Sequence, residues 1–202
     1  MPHMACPGCG IGHVVHATLL AIDELGLTLR DTVWVQGVGC SSRITYSTWV
    51  GDNVDAHHGR IFAVATGLKM ARPDMNFILF TGDGDCGAIG GNHFLHACRR
   101  NIDMTYVVMD NHIYGMTKGQ PSPTTEPEFD TALSPGGTGL RPFHPLVIAL
   151  ASGANFIARC FSGEPNETAA VLVEAIRHPG FSFVEILSPC VTFRPDEAEW
   201  KN

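Results

Sequence analysis

The sequence predicts a doubly wound α/β fold with a mainly parallel sheet, and three observations carry that prediction. Apolar runs of strand length recur at residues 32–38, 76–81, 104–109, 154–160 and 181–187. Segments with the apolar spacing of helices separate most of them. Four runs stop at Gly39-Cys40-Ser41-Ser42, Gly82-Asp83-Gly84, Asp110-Asn111 and Ser188-Pro189-Cys190. Strands that alternate with helices form parallel sheets covered on both faces. Such sheets bring their strand ends to one edge, where ligands bind.

Taken in order, the chain opens with Cys6-Pro7-Gly8-Cys9-Gly10. Residues 11–25 then read as an amphipathic helix, with Val15, Leu19 and Ile22 on one face. His13 and His16 are expected on its surface or facing a partner. Residues 32–38 are the first strand, and residues 43–58 look irregular. A helix runs from Gly59-Arg60 to about residue 72, buries Ile61, Val64, Ala65 and Leu68, and stops at Pro73. The run 76–81 is a buried strand, and residues 87–100 have helical character. The run 104–109 is a second buried strand.

Residues 121–139 are rich in Pro, Gly, Ser and Thr and form a long loop, a length that in compact domains goes with function. A short helix at 145–151 and a strand at 154–160 follow. A helix from Glu164 to about residue 178 buries Val171, Leu172, Ala175 and Ile176 and ends at Pro179-Gly180. The strand 181–187 closes the count at about five. The tail from Arg194 is expected to be acidic and exposed.

Length and composition bound the answer. The 202 residues suit one domain with a substantial core, taken as spanning 1–202. Only 16% of residues are charged, which suggests a surface partly covered by other subunits. A net charge of −7 and no basic run argue against nucleic-acid binding. Neither a signal peptide nor a membrane span is expected, so the chain reads as cytoplasmic. Seven cysteines in that setting point to metal or redox chemistry rather than disulfides.

The stretch 82–120 organises the rest. Asp83 offers a carboxylate at one strand end and Asn111 an amide oxygen at another. The bend Asn111-His112-Ile113-Tyr114-Gly115 can turn a main-chain carbonyl inward. Three such oxygens leave room for phosphate oxygens and water on a small octahedral cation such as magnesium. Glycines at 82, 84, 87, 90 and 91 let the backbone approach a ligand, and the following helix offers N–H groups to a diphosphate. Gly-Asp-Gly, then twenty-six residues, then Asn resembles the thiamine diphosphate motif, with Asp110-Asn111 where the family has Asn-Asn.

Cys6 with Cys9, Cys40 and Cys190 all mark element ends. Four thiolates suit either zinc or a cubane iron–sulfur cluster, and spacing alone does not separate the two. Cys86, Cys98 and Cys160 are assigned to packing, with Cys86 close to the cofactor turn.

A longer pattern runs through the chain. Cys-Pro-Gly-Cys-Gly, Val38-Gly-Cys-Ser-Ser42, His58-Gly-Arg60, Gly82-Asp-Gly-Asp85, Gly91-Asn-His93 and Arg99-Arg-Asn101 fall in order. Ile113-Tyr-Gly-Met-Thr-Lys-Gly-Gln120, Ser122-Pro-Thr-Thr125 and Ser188-Pro-Cys190 follow. Together they resemble the β subunit of the 2-oxoacid:ferredoxin oxidoreductases. The Thr-Lys-Gly-Gln version is similar to the 2-oxoglutarate or broad-substrate branch.

That resemblance implies a pyrophosphate-domain type of thiamine diphosphate-binding fold. It implies a [4Fe–4S] cluster on Cys6, Cys9, Cys40 and Cys190, and magnesium on Asp83, Asn111 and the carbonyl of Ile113. It sets the diphosphate against Gly84, Asp85, Gly115 and Met116, with Gly39, Ser41 and His58 toward the thiazolium. It implies oxidative decarboxylation of a 2-oxoacid, 2-oxoglutarate favoured, with coenzyme A to acyl-CoA, carbon dioxide and reduced ferredoxin. The activating glutamate has no candidate here, since Glu24 falls on a helix surface and Glu126 in the long loop. The resemblance supplies it from a partner α (or αγ) subunit.

Family β subunits usually extend further at both ends, so the sequence reads as a fragment or a minimal version. Pyruvate or branched-chain 2-oxoacids are alternative substrates. A non-redox thiamine diphosphate decarboxylase and a zinc-stapled binding module are the competing functions. Lys118 is the candidate cation for a distal substrate carboxylate, and a plain surface lysine is the alternative.

Overall fold

The computed structural model describes residues 4–195. Its centre is a six-stranded, all-parallel sheet. The elements run α1 (Gly10–Glu24), β1 (Thr32–Gln36), α2 (Cys40–Thr48), β2 (Asp52–Asp55), α3 (Ile61–Ala71) and β3 (Asn76–Gly82). A π-helical turn (Asp85–Ile89) leads into α4 (Gly91–Arg100) and β4 (Met104–Asp110). Then follow α5 (Pro145–Ala151), β5 (Phe156–Phe161), α6 (Pro165–Arg177) and β6 (Phe181–Leu187). The spatial strand order is β2-β1-β3-β4-β6-β5.

The strands form because they are short, β-branched or aromatic, and apolar on both faces. Alternate residues of each strand feed two cores. Val33, Leu79, Tyr106 and Phe183 pack under α3, α4 and α5. Trp34, Phe80, Met109 and Ile186 pack under α1, α2 and α6. On the first face Phe62 and Tyr106 lie with ring centroids 4.3 Å apart, and Phe94 and Phe183 5.1 Å apart. Such pairs contribute about 0.5–1.5 kcal/mol beyond the area they bury.

Two elements depart from the sequence expectation. Residues 43–58 are not irregular, because α2 and the edge strand β2 lie there, and the sheet has six strands rather than about five. Local propensity hides both. The α2 stretch is Ser, Thr and Tyr-rich, poor helix formers that compete for backbone hydrogen bonds. In the fold the hydroxyls of Thr45 and Thr48 donate back to the carbonyls of Ser41 and Ile44. Tertiary packing decides the outcome. Trp49, just past α2, stacks on Trp34 of β1 at 4.7 Å and 6°. That stack fixes α2 against the sheet and so places Cys40, its first residue.

Connections from β1 and β5 cross one face, while those from β2, β3 and β4 cross the other. Their direction reverses between β1 and β3. Crevices open where crossovers diverge, at the carboxyl ends of the strands. The loops after β1, β3, β4 and β6 therefore meet on one rim.

Arg194 corrects another expectation: it is 5% exposed rather than part of an exposed tail. Residues 196–202 lie outside the described residues.

Candidate functional site

The rim holds a half-open cleft with a cavity volume of about 90 Å³. Gly39, Cys40 and Ser41 line it after β1, Asp83, Gly84 and Asp85 after β3, and Asn111, Ile113, Gly115 and Met116 after β4. His58 enters from the loop before α3. Thus the oxygen donors, one cysteine and every residue expected against the cofactor face the same space.

The oxygen side is dense with internal bonds. Asp83 is 2% exposed, and its Oδ2 lies 2.7 Å from Thr124 Oγ1. The same hydroxyl lies 2.8 Å from Oδ1 of buried Asp110. A hydroxyl carries one hydrogen, so it satisfies one carboxylate at a time. Burial pushes the Asp83 carboxyl up, against Ser122, Thr124 and the charge of His112. Burial and then the Asp83 and Glu185 charges push Asp110 well above the usual carboxylate range. Two buried carboxyls around one donor are a setting that a divalent cation relieves.

The bend after Asn111 is pinned from several sides. His112 sits at φ 54, in the left-handed region. Its carbonyl accepts from Thr125 Oγ1 at 2.5 Å and from Arg194 Nη1 at 3.1 Å. Asn111 Oδ1 accepts from the Ile113 N–H at 3.2 Å, so the amide also pins the bend.

Asp85 plays a different part. Its carboxylate accepts from the Gly59 N–H at 2.6 Å, from Thr81 Oγ1 and from Nδ1 of His58. The side chain thereby ties the His58 loop onto the turn, and its backbone is what remains for a phosphate. Ser41 Oγ, by contrast, is buried in the cleft wall without a hydrogen-bond partner among the described residues. An orphaned hydroxyl facing a cleft fits a polar ligand there.

The sulfur side adjoins. A β-carbon on Gly115 would sit 3.3 Å from Cys40 Sγ, 3.8 Å from Cys190 Sγ and 3.9 Å from Asn111 Nδ2. A side chain there would press on Cys40 Sγ and lie in contact with Cys190 and Asn111. The Cys6-Cys9 turn is closed by the Cys9 N–H to the Cys6 carbonyl at 3.0 Å. It is docked on the Cys190 segment by the Gly10 N–H to the Pro189 carbonyl at 3.4 Å.

Burial, then the thiols of Cys9, Cys190 and Cys6, push Cys40 up to about 11. Cys9 is likewise raised, by burial first and against backbone N–H groups. The four sulfurs therefore feel one another. No three His, Cys, Asp or Glu side chains among the described residues converge as one ion would require. A single zinc needs every donor about 2.0–2.3 Å from one point, whereas a cubane gives each thiolate its own iron. An all-thiolate donor set is the chemistry that a cubane cluster takes.

Cys86 and Cys98 are buried in the sheet core, and Cys160 is half-buried on β5, in keeping with packing roles. Sequence reading missed the parts played by Thr124, Asp110, Tyr114 and Arg194. Thr124 was visible only as part of a Pro- and Thr-rich loop, whose fold back onto Asp83 spans 41 residues. Tyr114 Oη lies 3.4 Å from the Gly84 carbonyl and closes the floor of the cleft.

Residues 37–186 match the family model for the C-terminal TPP binding domain of thiamine pyrophosphate enzymes. The chain is 44% identical over 193 residues to 2-oxoglutarate synthase subunit KorB of Methanocaldococcus jannaschii, covering 96% of this chain and 71% of that one. It is 46% identical over 193 residues to the same subunit of Archaeoglobus fulgidus, covering 95% and 71%. A solved 2-oxoglutarate:ferredoxin oxidoreductase from Magnetococcus marinus, with 2-oxoglutarate, coenzyme A and succinyl-CoA bound, superposes with a TM-score of 0.93 at 42% identity. That match covers 96% of this chain and 66% of the other, so this chain spans about two thirds of that length. With one rim carrying both donor sets and relatives this similar over nearly its whole length, the chain belongs to the β-subunit family of the 2-oxoacid:ferredoxin oxidoreductases.

Proposed function

We propose that the chain is the thiamine diphosphate-binding β subunit of a cytoplasmic 2-oxoacid:ferredoxin oxidoreductase, with 2-oxoglutarate as substrate. The balanced reaction takes a 2-oxoacid, coenzyme A and two oxidised ferredoxins. It yields acyl-CoA, carbon dioxide, a proton and two reduced ferredoxins. The observation that carries this reading is the junction at Gly115, where Cys40, Cys190 and Asn111 lie together.

Thiamine diphosphate supplies the electron sink for decarboxylation when bound. A [4Fe–4S] cluster on Cys6, Cys9, Cys40 and Cys190 would accept electrons singly. Asp83, Asn111 and the Ile113 carbonyl would hold magnesium. The backbones of Gly84, Asp85, Gly115 and Met116 would hold the diphosphate. Ser41 would direct its unpartnered hydroxyl, and Gly39 its backbone, toward the thiazolium side. Asp85 fixes Nδ1 of His58 and leaves Nε2 as the ring nitrogen for the cleft.

No glutamate lines the cleft among the described residues. The family resemblance assigns the activating glutamate to the partner α subunit, so this chain alone should be inactive. Lys118, exposed at φ 78 beside the cleft loop, is the proposed cation for the distal carboxylate of 2-oxoglutarate.

The test uses the αβ complex prepared without oxygen. Coenzyme A-dependent dye reduction with 2-oxoglutarate should exceed that with pyruvate and vanish in Cys190→Ser. Undiminished 2-oxoacid decarboxylation in Cys190→Ser would instead indicate a non-redox decarboxylase. In Lys118→Ala the preference for 2-oxoglutarate should fall, and an unchanged preference removes Lys118 from the pocket.

A further inference from the structure

We infer that residues 191–194 form a strap that couples the cysteine site to the magnesium bend, with Arg194 as its buried anchor. The inference rests on the reading above but concerns residues that the reading does not use.

The strap touches three parts of the rim in four residues. Val191 meets the Cys6-Cys9 turn, since a β-carbon on Gly8 would sit 3.5 Å from Val191 Cγ1. Phe193 meets the cofactor loop, since a β-carbon on Gly119 would sit 2.9 Å from Phe193 Cδ1. Arg194 reaches the metal bend. Its N–H donates to the Cys190 carbonyl at 3.0 Å, closing a helical turn on the cysteine. Its Nη1 donates to the His112 carbonyl at 3.1 Å, and its Nη2 to Glu126 Oε2 at 2.6 Å. The guanidinium lies 3.8 Å from the ring centroid of Phe129.

These contacts make one polar chain. Glu126 Oε1 lies 2.8 Å from His112 Nδ1, so a single carboxylate grips both the guanidinium and the bend. The His112 backbone N–H donates to Asp110 Oδ1 at 3.0 Å, and the Thr124 hydroxyl lies between Asp110 and Asp83. From Cys190 to Asp83 the path is continuous through Arg194, His112, Asp110 and Thr124. The Arg194 side chain is 2% exposed. A guanidinium buried to that degree persists only where its donors are matched, and arginine is the side chain that can fork to two acceptors and stack.

The arrangement is a mechanical one. A shift of the His112 bend, as when its neighbours Asn111 and Ile113 close on a cation, pulls on Arg194 and through it on Cys190. Linkage makes the effect mutual: cofactor binding should steady the cluster, and the cluster should steady the cofactor by the same factor. Arg194 is thus a positioning residue.

The experiment measures iron release to a chelator from the anaerobic αβ complex, with and without thiamine diphosphate and magnesium. In the wild type, saturating cofactor should slow release about tenfold, the middle of the usual coupling range. In Arg194→Ala the two rates should become equal, although the complex still holds iron and still binds cofactor. Arg194→Lys, which cannot fork, should retain part of the protection. Glu126→Gln, which keeps an acceptor for Nη2, should retain most of it and serves if Arg194→Ala does not assemble. Full protection in both Arg194 variants would overturn the strap. A wild-type complex without iron or without cofactor binding would instead overturn the functional reading beneath it.

Discussion

The oxygen corner and the sulfur corner of the rim share Gly115 but are built in opposite ways. Around Asp83 the protein has laid its own hydrogen bonds: Thr124 to two carboxylates, Asn111 to the bend, and Thr125 and Arg194 to the His112 carbonyl. Around the four cysteines the recorded bonds are made by backbone. They close the Cys6-Cys9 turn, dock it on Pro189 and hold Cys190 to Arg194. The first corner is shaped before any ligand arrives. At the second, burial raises the thiols of Cys9 and Cys40, and a metal that binds thiolates completes the site with release of protons. The difference teaches which variants should fail in binding and which in assembly.

The comparison breaks most sharply with Cys40→Ser. Iron should be lost and dye reduction should fall more than ~100-fold, beyond what outer partners of a metal site cost. Thiamine diphosphate affinity should fall only by the factor transmitted through the strap. Metal analysis and cofactor titration of one preparation check both halves. Asp83→Ala is the mirror image. Affinity for magnesium and thiamine diphosphate should drop ~100-fold, while the complex, away from any chelator, keeps its iron apart from the factor transmitted through the strap. A loss of iron in Asp83→Ala would erase the distinction between the corners.

Thr124→Val sharpens the picture. It removes the one donor between two buried carboxyls, at about 1–3 kcal/mol of stability. Saturating magnesium should recover part of that loss, because the cation meets Asp83, one of the two carboxylates. Denaturant unfolding with and without magnesium reads the difference.

The smallest effect belongs to acid stability. Burial raises the Glu126 carboxyl, but Arg194, His112 and backbone donors together hold it below its usual value. A lowered carboxyl contributes stability that is fully present above its unfolded value, near 4.5, and is lost as pH falls through its folded value. Wild type and Glu126→Gln should therefore differ at neutral pH and converge in acid.

Much of this was legible in the sequence because parallel strands read as apolar runs and their ends as ligand residues. Asp83 and Asn111 sit immediately after strands and Cys40 four residues past one, so their meeting follows from the sheet being parallel. Cys190 is legible for the same reason. Thr124 and Arg194 are not, because their positions depend on how a loop without regular structure folds back over the rim. The α2 segment was missed for a third reason. Its Ser- and Thr-rich residues have weak helix propensity, and the packing around it, with Trp49 stacked on Trp34, is not visible in local sequence.

The central claim is that four sulfurs distant in sequence meet beside the Asp83–Asn111 metal site. Manganese in place of magnesium tests it most directly, read through the electron paramagnetic resonance of the reduced anaerobic αβ complex. The account predicts a cluster signal that is broadened and relaxes faster once manganese and thiamine diphosphate bind, with both effects lost in Asp83→Ala. A cluster signal indifferent to bound manganese would contradict it.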